Sequence, residues 1–225
     1  YRESIGTDVA NDVLGDSLYL SATQIETFYN CKYRYFCRYI VGAKERKRAE
    51  VNAMQYGTIM HYIFERHFSG GHESLEDLKK DTDDLIKKYA DENMGGFGSL
   101  SGKEKYRLRR MSESAQILIK HVDEELSQSR FEACSFEMNV GGDGGIPALI
   151  VKTPDGNTAY IGGTVDRVDM FEKNNQRYVR VVDYKTGIHD FKLTDVLHGL
   201  SMQMLVYLAA IISGKRNIKA AGVLY

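Results

Sequence analysis

Residues 160–187 constrain the fold of this chain more than any other stretch, because two strand-like runs flank a short Asn-Asn sequence. Apolar and polar residues alternate on both sides of Asn174 and Asn175, and asparagine tolerates the positive φ angles that short hairpin turns require. A turn centred on this pair places Asp166 directly opposite Asp183 on one face, with their Cβ atoms about 5 Å apart. The sequence therefore predicts a hairpin that brings two carboxylates together.

Strand periodicity decides which neighbours join this pair of acids. Side chains of a strand alternate between two faces, so Lys185 lies on the face of Asp183 while Tyr184 points to the other. Asp169 is three residues from Asp166, so on a regular strand it also points away. We expect two acids and a lysine to converge at one end of the hairpin, unless a β-bulge shifts the register.

The composition predicts a globular protein and excludes several classes. The 225 residues are 43% apolar, enough for one good-sized domain or a compact domain with a helical appendage. The net charge of -1 means that any contact with nucleic acid must come from local basic patches. No apolar run approaches the roughly 18 residues that span a bilayer, and no signal segment opens the chain, so we expect a cytoplasmic protein.

Three cysteines without C-x-x-C spacing exclude a disulfide framework and a complete zinc site. The chain starts with Tyr, and its last residues, AAGVLY, resemble an unfinished strand. We therefore expect a fragment of a longer protein.

The first part of the chain predicts an arm and then a helix. Residues 1–20 are polar and glycine-bearing, which is typical of a linker or a loosely held arm. Ser21 and Gln24 have capping-box spacing, and apolar residues follow at near-helical intervals as far as Ile40. Aromatic residues in this helix interleave with the basic residues Arg34, Arg38, Lys44, Arg46, Lys47 and Arg48. Such a mixture suits single-stranded nucleic acid, but a buried aromatic helix with solvated charges fits equally well.

Three further helices are predicted before residue 130. One covers about 53–68 and carries His61, a second opens at Ser74, and a third covers about 102–128. A lone histidine on a helix is more often structural than a metal ligand. A second basic run lies at the start of the third helix, where solvated surface is the default interpretation.

From Phe131 the periodicity changes from helical to alternating. Strands are predicted in FEACSFEMNV, PALIVKT and TAYIGGTVDRVDMF, with a β-turn at 154–157, and after the hairpin a loop leads to a helix over 199–213 and a strand near Ala220. The order predicts an α/β layered domain. We divide the chain into an arm (1–20), a helical region (21–130) and a core of sheet and helix (131–225).

The predicted carboxylate pair suits a hard divalent cation. Mg²⁺ usually takes one or two carboxylates and leaves its other positions to water and phosphate, so Asp166 and Asp183 meet its needs. Lys185 could orient a water molecule or hold a phosphate. Gln203 and Tyr207 share one face of the late helix, where they could position substrate, brace Lys185 or simply line a polar edge. A surface charge pair remains the alternative for Asp183 and Lys185.

The whole set resembles RecB-type nucleases of the PD-(D/E)XK superfamily. The matching residues are His61 in YGTIMH, Asp166 in GGTVDRVD, Asp183 and Lys185 in VVDYKTG, and Gln203 with Tyr207 in QMLVY, in the same order and spacing. The proline and first acid of the superfamily name stand here as Val165 and Asp166. The resemblance covers most of the chain from Ser21 onward.

This resemblance implies a fold, a site and a reaction. The fold is a restriction-endonuclease-like α/β core, with a mixed, largely antiparallel sheet flanked by helices and an N-terminal helical region. The implied catalytic residues are Asp166, Asp183, Lys185, Gln203 and Tyr207, and the implied metal ligands are His61, Asp166, Asp183 and Tyr184. The cofactor would be Mg²⁺, with Mn²⁺ as an alternative, and the substrate DNA.

The opening LSATQIETFYNCKYRYF looks most like the nuclease domains of bacterial helicase-nuclease subunits of the AddB type. That likeness implies a partner helicase-nuclease subunit and exonuclease action on single-stranded DNA in double-strand-break repair. It also makes Cys31 the first of four ligands to an iron-sulfur cluster. Because the other three would follow Tyr225, we expect that this fragment cannot assemble the cluster. Cys37 and Cys134 are expected to be small core residues.

Two other functions stay open at this point. The chain could be a catalytically silent scaffold that holds DNA, although a scaffold would not need all of His61, Asp166, Asp183 and Lys185. It could also be a stand-alone RecB-like nuclease of CRISPR adaptation, which its start inside a longer chain disfavours.

Overall fold

The computed structural model describes residues 6–15, 17–44, 53–69, 77–142, 145–154, 156–185, 191–213, 215 and 217–225. Its helices within these ranges are α1 (Thr7–Leu14), α2 (Ala22–Asn30), α3 (Lys32–Tyr35), α4 (Ala53–Ser69), α5 (Leu78–Asn93), α6 (Gly102–Gln128), α7 (Leu193–Leu197) and α8 (Gln203–Ile212), with a π-helical turn at Phe36–Ile40 and a 3₁₀ turn at Phe97–Ser99. Its strands are β1 (Ser17–Ser21), β2 (Glu132–Val140), β3 (Leu149–Lys152), β4 (Thr158–Lys173), β5 (Gln176–Val182) and β6 (Ile218–Leu224).

Strand β4 is the centre of the six-stranded sheet. Its first half pairs with β1 in parallel and with β3 antiparallel, and its second half pairs antiparallel with β2 and β5. β6 joins β5 in parallel at the far edge. Three of the five described pairings are therefore antiparallel, which confirms the expected mixed, largely antiparallel sheet flanked by helices.

Two hydrophobic cores lie against this sheet. One contains Val165 and Val181 of the sheet together with buried residues of α8 and Ala22 of α2. The other is formed by α4, α5 and α6, and Phe68 of α4 stacks on Phe136 of β2 with ring centroids 5.4 Å apart. The helical core thereby holds α4, which carries His61, against the strands. None of the described helices is long and apolar enough to cross a membrane.

The hairpin between β4 and β5 has the predicted register. Asn174 and Asn175 have φ angles of 52° and 62°, as a tight two-residue turn requires. The observed pairs run from Lys173 opposite Gln176 to Arg167 opposite Val182 without a shift. The next position on each strand is the expected pair of acids.

The N-terminal segment differs from the expected arm. Residues Thr7–Leu14 are helical, and Ser17–Ser21 form a strand that pairs with Thr158–Gly162 of β4. This pairing joins residues about 140 positions apart, so no local pattern predicts it. How the chain divides into domains stays a prediction.

The predicted first helix is interrupted. The capping box of Ser21 and Gln24 is present, but α2 ends at Asn30 because Cys31 has extended backbone angles. The Cys31 thiol then caps α3 by accepting a hydrogen bond from the backbone N–H of Arg34 at 3.4 Å. Farther along, the expected loop 186–198 contains α7, while Ser74 and residues 186–190 lie outside the described residues.

Candidate active site

The end of the β4–β5 hairpin places Asp166 and Asp183 side by side. Each lies one position beyond the last pair of the ladder, which is Arg167 opposite Val182. Asp166 is 8% exposed and Asp183 is 4% exposed. Asp166 Oδ2 accepts a hydrogen bond of 2.7 Å from the backbone N–H of Tyr184, which fixes the carboxylate across the hairpin. Burial, followed by the nearby charge of Asp166, raises the pKa of Asp183 despite the opposing effect of Lys185. Two acids are thus held together, and their surroundings disfavour the negative charge of Asp183.

Lys185 lies beside this pair, as strand periodicity predicts. Its Nζ is 2.5 Å from Asp183 Oδ2, and 30% of the Lys185 side chain is exposed. This contact pairs the ammonium group with a carboxylate oxygen that is itself buried. The lysine therefore reaches both the carboxylate and solvent.

His61 of α4 completes the cluster from the other side of the hairpin end. Its Nδ1 lies 3.3 Å from Asp166 Oδ1 and 3.3 Å from Glu137 Oε1, and its Nε2 lies 3.2 Å from the carbonyl oxygen of Tyr184. Hydrogen bonds to Asp166 and Glu137 raise the pKa of His61 to about 10. Without a metal ion, the imidazolium is therefore the cation that these carboxylates surround.

Tyr184 contributes two different groups to the two sides of the hairpin. Its carbonyl oxygen faces His61, whereas its side chain points away into the helical core, with its ring 4.6 Å from that of Phe64. The phenolic oxygen accepts a 3.0 Å hydrogen bond from Arg167, and burial raises the pKa of Tyr184 to about 12. The group that Tyr184 offers to the cluster is its peptide oxygen.

Glu137 is the residue of the cluster that the sequence did not predict. It lies on β2, between residues that pair with Arg167 and Val165, and so faces Asp166. Its φ of 45° is unusual for a residue other than glycine, and backbone strain of this kind often occurs at functional sites. No turn links β2 directly to β4, so the register that brings Glu137 to Asp166 has no local signal. The available clue to Glu137 was that it is an acid within the alternating run FEACSFEMNV.

These side chains suit a divalent cation. Ligand atoms of His61, Glu137 and Asp166 lie within 4.8 Å of one another. Asp183 adds a buried carboxylate, and Tyr184 adds a carbonyl oxygen. Carboxylate and carbonyl oxygens are ligands for Mg²⁺ and Mn²⁺, and an imidazole nitrogen can join them. A cation would also relieve the repulsion between the acids.

Gln203 and Tyr207 lie on α8, which packs against the sheet face that carries Val165 and Val181. Tyr207 is buried, and burial raises the pKa of its hydroxyl, against the opposing effect of a hydrogen bond from Gln203. The Tyr207 hydroxyl occupies the space that a side chain at position 163 would fill, so Gly163 is required there. A role for Gln203 and Tyr207 in positioning substrate or bracing Lys185 stays a prediction.

Asp169 lies outside the cluster, as expected, and has a structural role. Its fully buried carboxylate accepts hydrogen bonds from Arg167 at 3.0 Å and from Arg180 at 2.7 Å. Both arginines also bind Glu125 of α6, and Arg167 reaches the Tyr184 hydroxyl. This buried network ties α6 to the strand that carries the carboxylates.

Only half of the predicted nucleic-acid residues can be placed. The exposed ones are Arg34, Arg38 and Lys44, and exposed aromatic rings lie in the same segment. The other three, Arg46, Lys47 and Arg48, lie outside the described residues. The aromatic residues Tyr33, 77% exposed, and Phe36, 46% exposed, show that this segment is not the buried helix of the alternative interpretation.

The cysteines differ in part from expectation. Cys31 is exposed at the junction between α2 and α3. The expectation of two core cysteines was wrong, because Cys37 is only half-buried and Cys134 is exposed. Cys134 occupies a β-bulge, where the pairing of β2 with β4 shifts between Ala133 and Ser135.

Comparisons with known proteins give the family and the relatives that this chain resembles. Residues 19–225 match the family model described as the PD-(D/E)XK nuclease superfamily. Proteins named as ATP-dependent helicase/deoxyribonuclease subunits of the AddB type are similar along the chain: the one from Clostridium tetani is 30% identical over 238 residues, covering 100% of this chain and 21% of the relative. The one from Ruminiclostridium cellulolyticum is 31% identical over 234 residues, covering 95% of this chain and 20% of the relative. The chain thus spans about a fifth of the length of these relatives.

Proposed function

Because this chain belongs to the PD-(D/E)XK nuclease superfamily, we propose that its carboxylate cluster hydrolyses DNA phosphodiester bonds with the help of a bound Mg²⁺ or Mn²⁺. The observation that carries this proposal is the convergence of His61, Asp166, Asp183 and Lys185 at one hairpin end. A surface charge pair would not require two buried acids, a raised pKa at Asp183 or a histidine from a distant helix.

The residues have separate tasks in this proposal. Asp166, Asp183 and the Tyr184 carbonyl hold the cation, with the His61 imidazole as a nitrogen ligand. A divalent cation bound there supplies a water of lowered pKa and neutralises charge that builds on the scissile phosphate. The partly exposed Lys185 orients the attacking water or holds a phosphate oxygen, because its Nζ reaches both Asp183 and solvent.

We further propose that the chain acts as the nuclease domain of a helicase-nuclease subunit. Its relatives are named as subunits of an ATP-dependent helicase/deoxyribonuclease, although the chain matches only a fifth of their length. A motor in such a protein would deliver a single strand, which favours exonuclease action on single-stranded DNA during break repair. The exposed basic and aromatic residues around Arg34 and Arg38 would bind the phosphates and bases of that strand.

Cleavage of labelled single-stranded DNA by the complete protein in Mg²⁺ tests this function. Asp183→Asn and Lys185→Ala should each lower the rate by about 100-fold or more, because each removes a group that acts on the metal, the water or the phosphate. Asp84→Asn and Lys173→Ala are matched controls, since both residues are exposed and lie outside the cluster.

Two outcomes would contradict the proposal. If Lys185→Ala cuts like the Lys173→Ala control, the assigned chemistry is wrong. If the wild-type protein binds DNA but does not degrade it with any divalent cation, the chain is a DNA-holding scaffold.

We also propose that Cys31 ligates an iron-sulfur cluster in the longer protein. Its exposed side chain at the α2–α3 junction is accessible to ligands from elsewhere. The complete protein should show iron-sulfur absorption that Cys31→Ser removes and Cys134→Ser does not. An unchanged spectrum in Cys31→Ser would exclude this role.

A further inference from the structure

The outer face of the sheet carries an exposed aromatic row near the candidate active site. Tyr160 of β4 pairs with Tyr19 of β1 on one side and with Ile150 of β3 on the other. The two tyrosine rings stack, with centroids 4.9 Å apart and planes inclined by 14°. Tyr19 is 68% exposed and Ile150 is 59% exposed, so the row lies open to solvent.

This row and Thr164 lie on the same face of β4. Ile161 and Val165 belong to the core that contains Tyr207, and a side chain at Gly163 would meet the Tyr207 hydroxyl. These odd-numbered positions therefore face α8, and the even-numbered positions 160, 162 and 164 face the other way. Beyond Val165 the alternation reverses, because Val168 and Met170 also pack in the core with α8. Between Tyr160 and Asp166 come Gly162, which has no side chain, and Thr164, which is exposed. An open track therefore runs from the aromatic row to Thr164, and Asp166 lies two residues farther along β4, about 20 Å from Tyr160.

A groove of about 290 Å³ covers the first part of this track, as far as Gly163. Tyr19, Tyr160, Gln24 and Asn139 line it together with backbone of Gly162 and Gly163. None of the described residues that line it carries a charge, and Lys152 lies two residues from Ile150 on the same exposed face. Flat aromatic rings beside neutral polar groups suit nucleobases, and the nearby lysine suits a phosphate.

A second groove, which opens at His61, is acidic where the first groove is uncharged. It has a volume of about 660 Å³ and reaches His61 from the α4 side. Its lining includes Glu65, Glu92 and Glu137, whose carboxylates would repel a phosphate backbone. A DNA strand that approaches the carboxylates therefore meets less repulsion along the tyrosine track.

We infer that Tyr19 and Tyr160 form a base-stacking platform that holds single-stranded DNA along β4 and leads it to Asp166. This inference rests on the proposed nuclease function and names the path of its substrate. The strand lies along the even face of β4, with unpaired bases on the tyrosine rings and one phosphate at the carboxylates. A duplex fits less well, because its bases are already stacked on each other.

Binding of single-stranded DNA measures this platform without cleavage. In the complete protein with Asp183→Asn, Tyr19→Leu and Tyr160→Leu should each weaken binding of a fluorescent oligothymidylate by about fivefold or more. Leucine keeps apolar bulk and removes the flat ring. Tyr106→Leu is the matched control, since Tyr106 is 62% exposed on α6 and lies outside the groove.

A series of oligonucleotide lengths then distinguishes a platform from a general defect. With Asp183 intact, the KM of Tyr160→Leu should rise relative to the Tyr106→Leu control, and more for longer strands, because only longer strands reach from Asp166 to Tyr160. Equal losses on every length, including a simple phosphodiester with one scissile bond, would show a structural defect and overturn the inference.

Three further results would test the inferred platform. Affinities of both tyrosine variants within twofold of the control would also overturn it. Unchanged DNA binding with loss of a protein partner would assign the row to a protein interface instead. If the wild-type protein does not cut DNA at all, the proposed function fails, but the binding measurements still decide whether the platform exists.

Discussion

Asp169 and Asp166 are three residues apart on one strand, and the structure assigns them opposite roles. Asp169 is fully buried and neutralises Arg167, whose side chain is 1% exposed, and Arg180, whose side chain is 14% exposed. Asp169→Asn keeps the shape but leaves two buried guanidinium groups with Glu125 as their remaining acid. Removing one partner from a buried ion pair typically costs about 3–5 kcal/mol, so we expect that loss of unfolding free energy.

A loss of this size is readily measured. For a chain of this length, each kcal/mol corresponds to about 2–4 °C in Tm, so Asp169→Asn should melt about 6–20 °C lower than the wild type. Urea unfolding followed by circular dichroism should show a lower midpoint and an unchanged slope. Below its melting temperature the variant should still bind Mn²⁺, because Asp169 is not part of the cluster.

Asp166→Asn provides the contrast. It removes one of three neighbouring acids, so relief of repulsion offsets the lost partner of His61, and stability should change by about 1 kcal/mol or less. Mn²⁺ binding should be lost. The reasoning is refuted if Asp169→Asn costs less than about 1 kcal/mol, or if its folded form fails to bind Mn²⁺.

Three other predictions concern the same site. Gly163→Ala should lower the free energy of unfolding in urea by about 3 kcal/mol, because the new Cβ would overlap the Tyr207 hydroxyl and Gly163 has a φ of 150°. Adding Tyr207→Phe should restore part of that loss, and no recovery would contradict the contact. Mn²⁺ at about 100 times its Kd should stabilise the fold by about 2.7 kcal/mol in thermal melts, and Glu137→Gln should reduce this gain; an unreduced gain would remove Glu137 from the metal site. In calorimetry, Mn²⁺ affinity should rise from pH about 6 to about 9, because the cation must displace a proton from His61, whose pKa is about 10, and His61→Asn should flatten this dependence. A Mn²⁺ affinity that does not change with pH would contradict the assignment of His61. In the metal-free protein the same raised pKa stabilises the fold fully below about pH 6.5, and this contribution disappears as pH rises through about 10.

The hairpin could be predicted because its information is local. The turn at Asn174 and Asn175 fixes the register, and strand alternation then places Asp166, Asp183 and Lys185 without any distant contact. The capping box at Ser21 and the helix that carries His61 follow from equally local patterns.

Features that depend on distant pairing escaped prediction. Strand β1 was expected to be an arm, because its partner lies in β4, far along the chain. Glu137 was missed because its approach to Asp166 depends on the register between β2 and β4 and on a backbone angle that glutamate rarely adopts. The break at Cys31 also went unnoticed, since the residues on both sides have helical spacing.

Location of a bound cation tests the central claim most directly. In crystals of the protein soaked in Mn²⁺, anomalous difference density should show an ion about 2 Å from oxygens of Asp166 and Asp183, with the Tyr184 carbonyl and His61 as neighbours. Density at that point, absent in Asp183→Asn, would establish the site and its ligands together. Saturating Mn²⁺ that leaves the hairpin end empty, or binds only at the Glu65 and Glu92 groove, would contradict it.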